Sequence, residues 1–112
     1  MNPRTGATYL ILGLFLASGA PVFADDPQFA LSIKEHRFVP SELQVPAGVK
    51  VKLLIKNEDS TPEEFESHEL HREKVVPPGQ EITVFVGPLD AGTYPFFGDF
   101  HQDTAQGKLI AK

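Results

Sequence analysis

Two segments of the chain concentrate side chains that bind metal ions. The first holds two histidines among acidic residues, in the order Glu63, Glu64, Phe65, Glu66, Ser67, His68, Glu69, Leu70, His71, Arg72 and Glu73. The second carries Asp99 and His101 directly after an aromatic stretch. Residues two apart in an extended chain face the same way, so Glu64 pairs with Glu66 and Asp99 with His101. A cation between the two pairs would relieve the repulsion among their charges.

This pattern predicts one site of oxygen and nitrogen ligands, made where the two segments meet. The predicted ligands are Glu64, Glu66, Asp99 and His101. Further residues could replace or supplement them: Glu63, Glu69, His68, His71 and His36. Phe65 and Phe100, which alternate with the ligands, are expected to point the other way and anchor each backbone in the core. The alternative is that the acidic stretch is a solvated face and its histidines only line a loop.

Composition excludes several classes of protein. The chain has 112 residues, which suffice for one domain, and no cysteine, so disulfides, cysteine zinc sites, iron–sulfur clusters and thiol nucleophiles are excluded. Its formal charge of −5 argues against nucleic-acid binding and favours cations or basic surfaces as partners. A domain this small must close its core by packing, and a bound metal can add to its stability.

The first 24 residues have the features of a secretory signal. Arg4 provides a positive start, an apolar run follows at residues 9–17, and Ala24 offers a small residue before a cleavage point. Cleavage there would leave residues 25–112 as a single domain exported to the periplasm. The alternative is that the segment is retained as an N-terminal anchor.

The elements that position the site are predicted to be short strands. Apolar residues alternate around Leu31, Leu53 and Val84, aromatic residues cluster around Phe96, and an apolar stretch near Leu109 ends the chain. Turn signals rich in Pro and Gly separate them at residues 46–48, 77–79 and 90–92. Helical periodicity is absent; the best position for a helical turn is residues 66–74. The pattern favours an all-β fold, a single Greek-key β-sandwich.

Two longer motifs resemble the cupredoxin family. FVPSELQVPAG at residues 38–48, with Asn57-Glu58-Asp59 after the next strand, resembles the first half of such a domain. GTYPFFGDFH at residues 92–101, followed by GKLI at 107–110, resembles the second half. A blue-copper member has Cys where this chain has Gly98, Met at or near Ala105, and its first His where Glu63, Glu64 and Glu66 stand. The resemblance therefore implies a cupredoxin-like fold with a non-blue carboxylate and histidine site.

More specifically, the motifs EFES (64–67), REK (72–74) and FGDFH (97–101) resemble the small periplasmic cupredoxin of Ftr-type bacterial iron uptake systems, and in part the EfeO-type domain. This resemblance implies copper, iron or both as bound ions. It also implies a periplasmic iron-binding protein and a membrane iron permease as partners, and a role in ferrous iron oxidation and uptake. For the activity, the resemblance leaves two alternatives: a ferroxidase, which is an enzyme, or an electron-relay component of ferrous iron oxidation. The alternatives are a metallochaperone and a metal-free docking module of a transport complex.

Overall fold

The computed structural model describes residues 25–112; the predicted signal segment, residues 1–24, lies outside this range. The described chain consists of nine strands and one turn of 3-10 helix at Asp99–His101. The strands are β1 Gln28–Lys34, β2 Arg37–Val39, β3 Glu42–Val45, β4 Val51–Asn57, β5 Glu63–Ser67, β6 Arg72–Val76, β7 Glu81–Val86, β8 Gly92–Phe97 and β9 Gln106–Ala111. No helix within this range is long and apolar enough to cross a membrane.

The strands form two mixed sheets. One has the order β2-β1-β4-β7 and the other β3-β9-β8-β5-β6. β1 runs parallel to β4 and β3 parallel to β9, whereas the other pairs are antiparallel. The two sheets pack face to face over one apolar core. The all-β sandwich predicted from the sequence is confirmed.

Alternating side chains bury one face of each sheet. In β4, Val51, Leu53 and Ile55 are buried, as the period-two pattern predicts. Below the predicted site the core is aromatic: the Phe96 ring centroid lies 4.9 Å from that of Phe38 and 5.1 Å from that of Phe65. This cluster supports the end of β5 and the end of β8, from which the acidic and histidine side chains project.

The prediction of a helical turn in residues 66–74 is wrong. The stretch is a β-hairpin in which β5 and β6 pair antiparallel, with Ser67 opposite Arg72. The Ser67 hydroxyl donates to Pro95 O (2.7 Å) and accepts from Leu70 N–H (3.1 Å), which fixes the turn between the strands. β6 forms the edge of its sheet, and an exposed edge strand tolerates the charged residues that concealed the strand pattern.

Candidate metal centre

Strand β5 presents consecutive acidic residues to two different environments. Glu63 and Phe65 face inward, and Glu64 and Glu66 project from the other face because side chains alternate along a strand. Glu63 is only 1% exposed and Glu64 only 3% exposed. Two buried carboxyl groups at neighbouring positions each need a partner, since an uncompensated buried charge is costly.

A tight turn between β1 and β2 brings His36 to Glu63. Lys34 pairs with Arg37, so the hairpin loop consists of Glu35 and His36, both with positive φ (53° and 60°), as a type I′ turn requires. The Asp59 carboxylate accepts the Glu35 N–H (2.7 Å) and the His36 N–H (3.0 Å) and so holds this turn. Burial acts to raise the pKa of Asp59. The hydrogen bonds to its carboxylate, of which the one from His36 N–H is the strongest, outweigh burial, so the pKa of Asp59 is lowered overall.

The 3-10 turn after β8 separates Asp99 from His101. Successive residues of a 3-10 helix rotate by about 120°, so residues two apart do not share a face. Asp99 N–H donates to Glu64 Oε1 (2.7 Å), whereas His101 Nδ1 lies 3.1 Å from Glu63 Oε1. The expectation that an extended backbone aligns Asp99 with His101 is wrong for this reason. Phe100, which lies between them, is 49% exposed, so the prediction that it anchors the backbone in the core is wrong. The same prediction for Phe65 is confirmed, because Phe65 is buried.

The first group of possible ligands, which we call the histidine cluster, consists of His36, Glu63 and His101. The Nδ1 atom of His36 lies 2.6 Å from Glu63 Oε2, so the two imidazoles contact different oxygens of one carboxylate. The rings stack with centroids 3.6 Å apart and an interplanar angle of 16°. Two imidazoles and a carboxylate form a donor set that Cu(II), Fe(II) and Zn(II) all accept.

The second group, the acidic cluster, consists of Glu64, Glu66 and Asp99. Burial, with the neighbouring carboxyl groups of Glu66 and Asp99, raises the pKa of Glu64 to about 7, although the hydrogen bond from Asp99 N–H opposes the shift. Glu66 is half-buried and Asp99 is exposed, so solvent reaches the group from one side. Either a proton or a cation can neutralise this cluster, and its oxygen atoms favour hard cations.

The structure thus distributes the four predicted ligands over two groups. Glu64, Glu66 and Asp99 lie together, while His101 joins His36 and Glu63, which the sequence offered only as reserves. The other reserve residues, His68, Glu69 and His71, lie in the β5–β6 turn and belong to neither group among residues 25–112. Sequence reasoning missed Asp59 as the residue that holds His36; its place after Asn57, whose side chain accepts the Asp59 N–H (2.8 Å), is typical of an Asx turn.

Gly98, which the sequence resemblance aligns with the cysteine of blue-copper proteins, is packed too closely to accept a side chain without a shift of its neighbours. A Cβ atom there would lie 2.9 Å from Glu64 O and 3.0 Å from the Ala105 Cβ. Ala105 is itself buried, and its carbonyl accepts the Gly98 N–H (2.9 Å). Any side chain at position 98 would therefore displace the Glu64 backbone or Ala105. The donors present fit a copper ion held by nitrogen and oxygen, and they do not fit a blue site.

Comparison with known proteins agrees with this architecture. Residues 6–111 match the model of the cupredoxin-like domain family, and the chain belongs to that family. An uncharacterised protein of Rickettsia prowazekii (strain Madrid E) is 55% identical over 80 residues, which cover 71% of this chain and 64% of that protein. The match thus spans less than two thirds of the relative's length.

Solved structures share the fold at low sequence identity. Auracyanin A, a "blue" copper protein of Chloroflexus aurantiacus, superposes with a TM-score of 0.67 at 18% identity, covering 79% of this chain and all of that one. Amicyanin from Paracoccus versutus gives a TM-score of 0.61 at 19% identity, covering 81% of this chain and 85% of amicyanin. The cupredoxin fold inferred from the sequence motifs is therefore confirmed.

Proposed function

We propose that this protein is an exported, cupredoxin-like copper protein that supports the oxidation of ferrous iron for uptake through a ferric-type permease. The observation that carries the proposal is the presence of two donor groups of different chemistry on consecutive residues of β5. Glu63 belongs to the histidine cluster and Glu64 to the acidic cluster. The similar structures named as copper proteins support copper as the resident ion.

In this proposal His36, Glu63 and His101 form the copper site. Imidazole and carboxylate are harder donors than thiolate, and they favour Cu(II) over Cu(I) relative to a blue site. Copper held there would supply a one-electron Cu(II)/Cu(I) couple. The chain's own residues fix the imidazoles: the Glu63 carboxylate contacts both Nδ1 atoms, and Asp59 holds the His36 backbone.

Iron is the substrate in this proposal and binds at the acidic cluster. Carboxylate oxygens bind Fe(III) more tightly than Fe(II), and this preference lowers the reduction potential of the bound iron. Asp99 is exposed and Glu66 is half-buried, so an ion can reach them from solvent, and deprotonation of Glu64 completes the charge that holds it. The 3-10 turn links both groups, because Asp99 contacts Glu64 and His101 contacts Glu63.

The proposed partners are a periplasmic iron-binding protein and a membrane iron permease. Phe100 supports a protein contact near the site, since its ring is half exposed between Asp99 and His101. An exposed aromatic residue among polar neighbours is typical of interaction surfaces. The periplasm is the proposed location, in line with the signal predicted at residues 1–24.

Anaerobic addition of Fe(II) tests the proposal. With Cu(II)-loaded protein we expect about one Fe(III) per bound Cu(II), trapped by a ferric chelator, and with metal-free protein none. His101→Ala should abolish the copper-dependent oxidation, and Glu69→Gln, in the exposed hairpin turn, should leave it unchanged. Loaded protein that yields no Fe(III) would contradict the proposal. Repeated turnover after oxygen is admitted would classify the protein as a ferroxidase.

A metallochaperone is the second candidate, because one observation favours it. The side chains of His36 and His101 are 40% and 31% exposed, which would let a partner reach a bound ion. In the same experiment a chaperone would bind copper tightly, oxidise no Fe(II) and transfer its ion to an acceptor protein. A metal-free docking module would bind neither copper nor iron.

A further inference from the structure

A groove runs along the β5–β6 hairpin beside the acidic cluster. It has a volume of about 430 Å³ and is lined by Glu66, Ser67, His68, His71, Arg72 and Glu73. Glu66 is also a member of the acidic cluster, so the groove adjoins that cluster directly. The His68 ring lies against Phe97 of β8, with ring centroids 5.3 Å apart. The groove is therefore a route from solvent to the carboxyl groups of the acidic cluster.

The groove carries two like charges without a basic partner. Glu66 and Glu73 are directly opposite each other on β5 and β6, a position in which side chains share one face, Cβ atoms are about 5 Å apart and like charges destabilise the sheet. Neither glutamate forms an ion pair among residues 25–112. Arg72 precedes Glu73 and projects to the other face, where its Nε donates to Phe85 O of the other sheet (2.9 Å). A cation in the groove would offset the repulsion between the two glutamates.

The spacing of the donors suits a hydrated ion and not a directly coordinated one. Among residues 25–112, His68, His71 and Glu73 belong to no group of three ligand atoms within 4.8 Å of one another. A divalent ion that keeps its water shell is held instead by hydrogen bonds from its waters to carboxylate and imidazole acceptors. Six waters occupy about 180 Å³ at about 30 Å³ each, which the groove accommodates.

We infer that this groove is a capture site, which holds hydrated Fe(II) through its waters and passes it to the acidic cluster by way of Glu66. The destination of the ion rests on the proposed iron site, whereas binding in the groove does not depend on it. Transfer is a ligand exchange without change of oxidation state, in which a carboxylate oxygen of Glu66 replaces one water of the ion and that water leaves to solvent. Capture therefore raises the rate at which the cluster is loaded.

Hexaamminecobalt(III) tests the groove alone. Its ammonia ligands exchange too slowly for protein ligands to replace them, so it binds only through hydrogen bonds from its shell, as a hydrated ion does. In a 1H–15N NMR titration of the metal-free protein it should shift the amides of Ser67, His68 and Glu73. Glu73→Gln, at an exposed position of an edge strand, should weaken this binding about 5-fold. Glu69→Gln removes the same charge from the same hairpin outside the groove and should leave the binding nearly unchanged.

Shifts confined to residues 99–101, or equal weakening in the two variants, would overturn the inference. Ni(II) then tests the transfer, because its waters exchange slowly and its association rate is the outer-sphere binding constant multiplied by the rate of water loss. Quenched-flow with a chromogenic chelator for the free ion measures that rate. Glu73→Gln should lower it by the same factor as it weakens cobalt binding, and an unchanged rate would refute the capture role.

The two experiments separate failure of the groove from failure of the proposed iron site. If Ni(II) does not bind the wild-type protein while hexaamminecobalt(III) shifts the groove amides, the acidic cluster is rejected as the destination and the transfer step with it. If Ni(II) binds and hexaamminecobalt(III) shifts no amide of the hairpin, the groove is rejected and the iron site stands.

Discussion

The two faces of strand β5 carry equally buried carboxyl groups in opposite electrostatic surroundings. Glu63 faces two imidazoles, which supply hydrogen-bond donors and, when protonated, positive charge. Glu64 faces two further carboxyl groups and one backbone N–H. The Glu63 carboxylate is stabilised by contacts within the protein, whereas the charge of Glu64 needs a proton or a cation as well, because one backbone N–H does not offset two neighbouring carboxyl groups. One peptide unit thus separates a preorganised nitrogen site from a site that must acquire charge from solution.

A single turn supplies both sites. Residues 99–101 contribute the Asp99 N–H and carboxyl group on one side and the His101 ring on the other. A distortion of this turn should therefore affect both clusters, while a substitution within one cluster should affect that cluster alone. The following predictions separate these two kinds of effect.

The largest expected effect is on copper binding by His101→Ala. Loss of one imidazole should lower Cu(II) affinity by about 100-fold or more, since losing even an outer partner of a ligand costs 10- to 100-fold. Glu66→Gln, in the acidic cluster, should leave Cu(II) affinity nearly unchanged. Competition titration against a copper chelator measures both. Equal losses in the two variants would mean that the clusters act as one site.

The second prediction concerns the pH dependence of stability. The pKa of Glu64 is raised to about 7 from its ordinary value of 4.5, so its contribution to stability is fully present below pH 4.5 and is lost as pH rises through 7. In metal-free protein, Glu64→Gln should raise the free energy of unfolding at pH 8 on the order of 2 kcal/mol, and leave it nearly unchanged at pH 4. Urea unfolding at both values measures the difference.

Glu69→Gln, an exposed glutamate of the same hairpin, serves as the control and should show no such pH-dependent gain. A cation bound at the acidic cluster should compete with the proton on Glu64, so iron affinity should decrease below about pH 7. A gain for Glu64→Gln that is the same at pH 4 and pH 8 would contradict the charge repulsion inferred for this cluster.

Gly98→Ala should disturb both clusters together. The added Cβ would approach Glu64 O to 2.9 Å, and relief of this contact must shift β5 or the 3-10 turn. We expect a loss of about 1–3 kcal/mol in the free energy of unfolding, the usual effect of overpacking. Gly92→Ala is the control, because its Cβ would meet no atom closer than 3.8 Å. Gly98→Cys should suffer the same strain and give no intense blue colour with Cu(II); a stable blue variant would refute the steric argument.

The smallest effect is expected for Asp59→Asn. The amide keeps one acceptor for the Glu35–His36 turn and loses the other, which costs about 1 kcal/mol. Because the turn holds His36 in the histidine cluster, Cu(II) affinity should fall about 10-fold, with the acidic cluster unaffected. Asp103→Asn, at an exposed position after the 3-10 turn, should change neither property. Full Cu(II) affinity in Asp59→Asn would show that the turn does not need this carboxylate.

Most of the strands could be predicted from the sequence, because the alternation of apolar and polar residues along a strand shows which of its side chains are buried. Alternation around Leu53 and Val84 identified β4 and β7, and the motifs around Pro46 and Tyr94 indicated the cupredoxin fold. The hairpin of β5 and β6 was missed, since β6 is an edge strand whose charged side chains hide the alternation. Pattern-based reasoning is least informative where a strand buries few residues.

The amino-acid types alone determined that no thiolate site is possible and that oxygen and imidazole are the donors available. Which donors meet was decided only by the tertiary structure. A two-residue turn with positive φ carries His36 across to Glu63, and a 3-10 turn directs Asp99 and His101 to opposite faces of β5. Both turns depend on hydrogen bonds to residues far along the chain, Asp59 in one case and Glu64 in the other, so no local pattern could encode them.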